Sequence, residues 1–212
     1  MPVKVKICGV NSAPSFDASA EAGADWVGFV FFAGSPRCVT PVEAAALTRR
    51  LPGGPRRVGL FVNPSDDEIA HVLDLMALHA LQVYAEPARL ATIRAKFDVP
   101  VWRPIGVETA SDLPEDGGVA ACLVIEAKPP AGAVRPGGNA ARFDWRVLAG
   151  WEPATPWLLA GGLTVTNVTR ALAESGAAAV DVSSGVESAP GVKDAQLIAE
   201  FVRAAKGVSV PH

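Results

Sequence analysis

The stretch EAGADWVGF, Glu21 to Phe29, ends one element and begins another. Gly23 stands where a left-handed helix cap needs no Cβ, and Trp26 to Phe29 carries the apolar and aromatic residues of a strand. The phrase returns as ESGAAAVDV at 174–182, with Glu, Gly, Ala and Val at matching places and Gly176 in the role of Gly23. Each glycine ends a helix and delivers the next strand. A phrase of that kind near both ends of a chain marks a repeated strand-helix unit.

Working outward, short β-branched or apolar runs begin near Val3, Asp25, Arg56, Ala80, Val99, Ala121, Pro156 and Ala178. Amphipathic, alanine-rich patterns lie between them at 40–51, 65–77, 86–97, 164–175 and 193–205. The pattern predicts eight strand-helix units filling residues 1–212, with no linker to divide them. Eight such units closing on themselves make a (β/α)8 barrel, an α/β fold in one domain, and ~200 residues is the small end of its range. An open doubly wound sheet is the alternative. It carries a glycine-rich dinucleotide loop after its first strand, and CGVNSAP (8–14) is no such fingerprint.

Half the residues are apolar and 19% are charged. No stretch approaches the roughly 18 consecutive apolar residues of a membrane span, and the N-terminus enters strand-like sequence without a leader pattern. The expected location is the cytoplasm. Three cysteines (Cys8, Cys38, Cys122) and three scattered histidines form no CxxC or Cys/His cluster, so neither a disulfide framework nor a metal centre is indicated. A formal charge of −3 argues against nucleic acid or an anionic membrane as partner. An anionic substrate has to be held by local donors.

VKVKICG, Val3 to Gly9, is the stretch where a barrel changes the reading. On a half-buried strand the lysines would sit in water. In a barrel Val3, Val5 and Ile7 face the helices, while Lys4, Lys6 and Cys8 line the interior up to the C-terminal mouth, where barrel active sites lie. Lys6 then needs a carboxylate, and Asp181 on the neighbouring last strand is the nearest candidate. A cation beside Cys8 favours its thiolate and suits it to act as a base.

LLAGGL (158–163) and VDVSSGVE (180–187) end the last two strands with small residues. Gly161, Gly162, Ser184 and Gly185 let backbone N–H groups approach an anion, with helix N-termini adding a favourable dipole. The competing reading is two turns that merely close the barrel. Arg37, in GSPRCV (34–39), overhangs the mouth to grip a carboxylate or else is solvated, and Cys38 beside it is packing. Glu126 emerges from an apolar strand, so its pKa should rise, as a general acid requires; otherwise it pairs with Lys128 or an arginine. The glycines of 128–145 could hinge a lid, and Asp144 is an N-cap.

Together, KICG (6–9), GFVF (28–31), SPR (35–37), GGN (137–139) before FDW (143–145), AGGL (160–163) and VDVSSGVESAPGVKD (180–194) resemble the phosphoribosylanthranilate isomerase family along nearly the whole chain. The resemblance implies a cofactor-free barrel of tryptophan biosynthesis; a monomer or homodimer is expected. It would convert N-(5′-phosphoribosyl)anthranilate to 1-(2-carboxyphenylamino)-1-deoxyribulose 5-phosphate by an Amadori rearrangement. It implies Cys8 as general base and Glu126, where the family has aspartate, as general acid. Arg37 would take the anthranilate carboxylate, Gly161, Gly162, Ser184 and Gly185 the phosphate, and Asp181 the ribose hydroxyls. Gln82 is kept in QVYA (82–85), where the family reads QLHG, so Tyr84 and Ala85 are departures, as is Ala140 after GGN. These changes would reshape the surroundings of Glu126. Two other readings compete. One is a catalytically weakened barrel that binds a sugar phosphate as a sensor or partner subunit. The other is a histidine-pathway isomerase with paired aspartates, against which Cys8 and Arg37 discriminate.

Overall fold

The computed structural model describes residues 2–129, 132 and 142–208. Eight parallel strands close into a barrel in sequence order. They are β1 (Lys4–Cys8), β2 (Trp26–Val30), β3 (Arg56–Val62), β4 (Ala80–Tyr84), β5 (Val101–Val107), β6 (Cys122–Ala127), β7 (Trp157–Leu159) and β8 (Ala179–Val182). All begin within two residues of the positions expected from sequence. The closing seam joins β1 to β8, with Lys6 opposite Asp181.

Side-chain alternation sorts the strands into two cores. Val3, Val5, Ile7, Leu81, Val83, Leu123, Ile125, Val180 and Val182 point outward and pack with helical residues such as Phe16, Ile69, Leu90, Ile93 and Phe201. Val58, Ala80, Trp102, Cys122, Val124, Leu158 and Ala179 point inward and fill the barrel. Trp26 meets Trp102 edge-on there, with ring centroids 5.5 Å apart, while exposed Lys4 lies 5.8 Å from the Trp26 ring. Farther along the same inward rows the residues turn polar: Lys6 and Cys8, Gln82 and Tyr84, Glu126, Asp181. The barrel is thus plugged with apolar groups below and polar at its C-terminal mouth.

The helices are α1 (Ala13–Glu21), α2 (Pro41–Thr48), α3 (Asp66–Leu75), α4 (Pro87–Lys96), α5 (Val168–Ser175) and α6 (Ala195–Lys206). Capping boxes at Ser12, Thr40 and Ser65 start the first three, each satisfying backbone N–H groups that no helical carbonyl can reach. Gly23 (φ 77°) and Gly176 (φ 70°) take the left-handed conformation expected of them.

The expectation of eight strand-helix units is corrected. Among the described residues β5 and β6 are followed by short 3-10 turns, Ala110–Asp112 and Trp145–Leu148, and not by α-helices. The connection 108–121 is short and contains Pro114, Gly117 and Gly118, which break helices. Asp144 does cap its turn, accepting from the Arg146 N–H at 3.1 Å. Most of 128–145, including GGN and Ala140, lies outside the described residues, and the expected lid with it. An antiparallel hairpin, β9 (Glu187–Ala189) and β10 (Val192–Lys193), intervenes between β8 and α6.

Candidate active site

Lys6 has no solvent exposure, and its Nζ donates to Asp181 Oδ1 at 2.9 Å. Burial works against its charge, but Asp181 and the neighbouring Cys8 outweigh it and hold the ammonium above the ordinary lysine pKa. Cys8 stands one pleat higher at 5% exposure. Gly28 faces it across the β1–β2 ladder, and a Cβ there would come within 3.0 Å of the Cys8 Sγ. The missing side chain leaves the thiol its space.

The pull of a lysine toward the Cys8 thiolate is present, but it is not the largest influence on the thiol. Burial pushes the Cys8 pKa up, and although Lys6 and Lys193 pull it down, Asp181 opposes them, so the thiol form is favoured. Glu126, at 7% exposure, is shifted in the same direction, its pKa raised to about 8, with burial as the main cause. Among the described residues it pairs with neither Lys128 nor an arginine: Lys128 reaches Asp112 at 2.6 Å, and Glu126 Oε1 accepts from the Tyr84 hydroxyl at 2.8 Å. Burial, reinforced by Glu126 and more weakly by Cys8 and Asp181, holds the Tyr84 phenol well above the ordinary tyrosine pKa. Those groups therefore share one mouth. Gln82, one pleat below Tyr84, is 1% exposed, and its Oε1 has no hydrogen-bond partner among the described residues.

Arg37 is neither solvated nor free, being 5% exposed. Its Nε and Nη2 donate to the two carboxylate oxygens of Glu187, at 2.6 and 2.9 Å. Lys193 Nζ donates to the same Glu187 at 2.7 Å and to the Ser183 carbonyl at 2.9 Å. Burial disfavours both charges of the Glu187–Lys193 pair. The two cations still hold the carboxylate below its ordinary pKa, while Lys193 is left below that of a free lysine. Sequence reasoning missed Glu187 and Lys193 as site residues. The available signal was their placement at either end of ESAPGVK, whose Pro190–Gly191 turn folds them to one side. Cys38, expected as packing, is exposed.

Gly161 and Gly162 follow β7 at φ 84° and 61°. Their N–H groups take no backbone or side-chain acceptor among the described residues. Ser184 and Gly185 follow β8, and a Cβ on Gly185 would collide with the Leu163 carbonyl, so the two loops interlock. The expected helix dipoles are largely absent here. α5 starts only at Val168, and the turn after β8 is a three-residue 3-10 helix. Backbone donors are what the loops offer an anion. Every expected site residue thus lies on the C-terminal side of the barrel.

The family model for N-(5′-phosphoribosyl)anthranilate (PRA) isomerase matches residues 5–204. An N-(5′-phosphoribosyl)anthranilate isomerase of Acidiphilium cryptum is 52% identical over 204 residues, covering 95% of this chain and 98% of its own. The phosphoribosyl anthranilate isomerase structure from Thermotoga maritima superimposes with a TM-score of 0.82 at 34% identity, covering 97% of this chain and 100% of that one. Another such isomerase, in complex with reduced 1-(o-carboxyphenylamino)-1-deoxyribulose 5-phosphate, gives 0.80 at 33% identity with the same coverage. With matches of this kind along nearly its whole length, the chain belongs to the N-(5′-phosphoribosyl)anthranilate isomerase family.

Proposed function

We propose that this chain, as one barrel domain, converts N-(5′-phosphoribosyl)anthranilate to 1-(2-carboxyphenylamino)-1-deoxyribulose 5-phosphate in tryptophan biosynthesis, with Glu126 as acid and Cys8 as base. The observation that carries the reading is the pairing at one mouth of a carboxyl that keeps its proton at neutral pH with a thiol flanked by two lysines. Glu126 protonates the ribose ring oxygen as the bond from that oxygen to C1′ breaks, and the anilino nitrogen lone pair forms the C1′=N bond. Cys8, reacting through its thiolate form, which Lys6 and Lys193 favour and burial disfavours, removes the proton from C2′. The released electron pair forms the C1′=C2′ bond, the C=N pair returns to nitrogen, and the enolamine tautomerises to the ketone. Strands β1 and β6 are three apart around the barrel, which sets acid and base on either side of one small ring.

The remaining groups fit the rest of the substrate. Glu187 uses one edge of the Arg37 guanidinium, leaving Nη1 for the anthranilate carboxylate. Asp181 gives one oxygen to Lys6 and retains Oδ2 for a ribose hydroxyl; the buried Gln82 Oε1, unpaired among the described residues, is a second acceptor. Gly161, Gly162, Ser184 and Gly185 receive the phosphate. Among the described residues no helix is long and apolar enough to cross a membrane, and a cytoplasmic monomer or homodimer is the form we propose. The test is turnover of freshly generated N-(5′-phosphoribosyl)anthranilate by the purified protein beside Cys8→Ala. Ready turnover that falls at least a thousandfold in the variant is expected. Tight binding of a product analogue without turnover, indifferent to Cys8→Ala, would instead favour a sugar-phosphate-binding barrel.

A further inference from the structure

Tyr84 closes β4 on the inward row that also holds Ala80 and Gln82, and Glu126 lies on the inward row of β6. The strand between them carries Gly106 opposite Glu126, so no side chain of β5 stands between the phenol and the carboxyl at that level. A hydroxyl from one strand thereby reaches across a second to a carboxyl on a third. The Tyr84 hydroxyl donates to Oε1 at 2.8 Å, the single hydrogen bond Glu126 makes to a side chain among the described residues.

We propose that Tyr84 is the positioning residue of the acid: by occupying Oε1 it assigns the transferable proton to Oε2 and then stabilises the carboxylate left when that proton has gone. This rests on Glu126 being the acid of the reaction. Before transfer, Oε2–H is the donor and Oε1 the carbonyl oxygen that accepts from Tyr84. Oε2 gives its proton to the ribose ring oxygen, the C1′–O bond breaks, and Glu126 is left with a negative charge on two oxygens. Tyr84 keeps its own proton throughout, because burial and the adjoining acidic groups hold its pKa far above neutral. Its hydrogen bond strengthens as charge develops on Oε1, which is differential stabilisation of the transition state. The same bond fixes the longer glutamate side chain, which has one more rotatable bond than an aspartate to restrain.

The experiment is a double-mutant cycle of Tyr84→Phe and Glu126→Asp, with Glu126→Gln and wild type alongside, read as kcat and KM. Thermal melts and a carbon-13 NMR titration of the Glu126 carboxyl in protein with labelled glutamate accompany it. Tyr84→Phe is expected to lower kcat by roughly ten- to a hundredfold, the range for losing one hydrogen bond to a charged group. KM and Tm should change little, and the Glu126 titration should move upward from about 8, since the phenol's bond favours the carboxylate. Glu126→Asp withdraws the carboxyl from Tyr84, so the double variant should be no slower than Glu126→Asp alone. A Tyr84→Phe enzyme with unchanged kcat and an unmoved titration, or strictly additive losses in the cycle, overturns the proposal. If Glu126→Gln turns over like wild type, the acid assignment itself falls. The NMR titration separates the two failures, because it reads the Tyr84–Glu126 bond without turnover.

Discussion

Burial drives Cys8 and Glu126 toward their neutral forms, and the chemistry wants that of only one. For the acid the shift is useful: a carboxyl with a pKa of about 8 still carries its proton at neutral pH. For the base it is a handicap that Lys6 and Lys193 partly offset. The raised Glu126 pKa also has a signature in stability. The folded protein holds a proton that the unfolded chain releases at about 4.5, so stability falls as pH rises between about 4.5 and 8, by about 1.4 kcal/mol per unit. Glu126→Gln removes that dependence. Its Tm relative to wild type should therefore rise from pH 5 to pH 8, as calorimetry at both would show; a difference that stays flat would mean that Glu126 titrates normally. The placement of Cys8 and Glu126 at the mouth was legible in the sequence because each is a polar group where an apolar strand ends, and that of Arg37 because it stands in the loop after β2. Glu187 and Lys193 were not, since nothing local says that their hairpin folds back over Arg37. The Tyr84–Glu126 contact was legible only as two departures from a family pattern. That they share one hydrogen bond depends on the barrel's curvature.

Among the elements, strands read more truly than helices. Each strand but β4 announced itself by a short apolar run with a glycine or proline before it. The 3-10 turn that stands in place of a helix after β5 shows that a repeated architecture does not oblige every repeat to be complete. What the mouth requires of an element is the end of its strand, and the loops after β7 and β8 illustrate this. Gly185 rests against the Leu163 carbonyl, so a methyl group there must push the two loops apart. Gly185→Ala is expected to raise KM for the phosphorylated substrate at least tenfold and to weaken inhibition by inorganic phosphate in parallel, with little change in kcat. Steady-state kinetics with phosphate as competitor will decide; an unchanged KM would remove these loops from phosphate binding.

At the scale of the whole molecule, the Lys6–Asp181 pair ties the first strand to the last inside a closed barrel. Two buried opposite charges are costly to separate, because whichever remains has neither water nor partner. Lys6→Met alone should destabilise the protein by about 3–5 kcal/mol, and Lys6→Met with Asp181→Leu should recover much of that loss. Urea denaturation of the wild type, both single variants and the double variant tests the coupling. Additive losses would mean that the pair is not a closing contact. The same pair also bears on how the protein is made. A ribosome delivers Lys6 long before Asp181, on the order of ten to thirty seconds earlier at ordinary elongation rates. Throughout translation the lysine must keep its water, and the sheet its open edge. The barrel can seal only once β8 has been made, so until then the nascent chain carries an unpaired sheet edge that the folded protein does not.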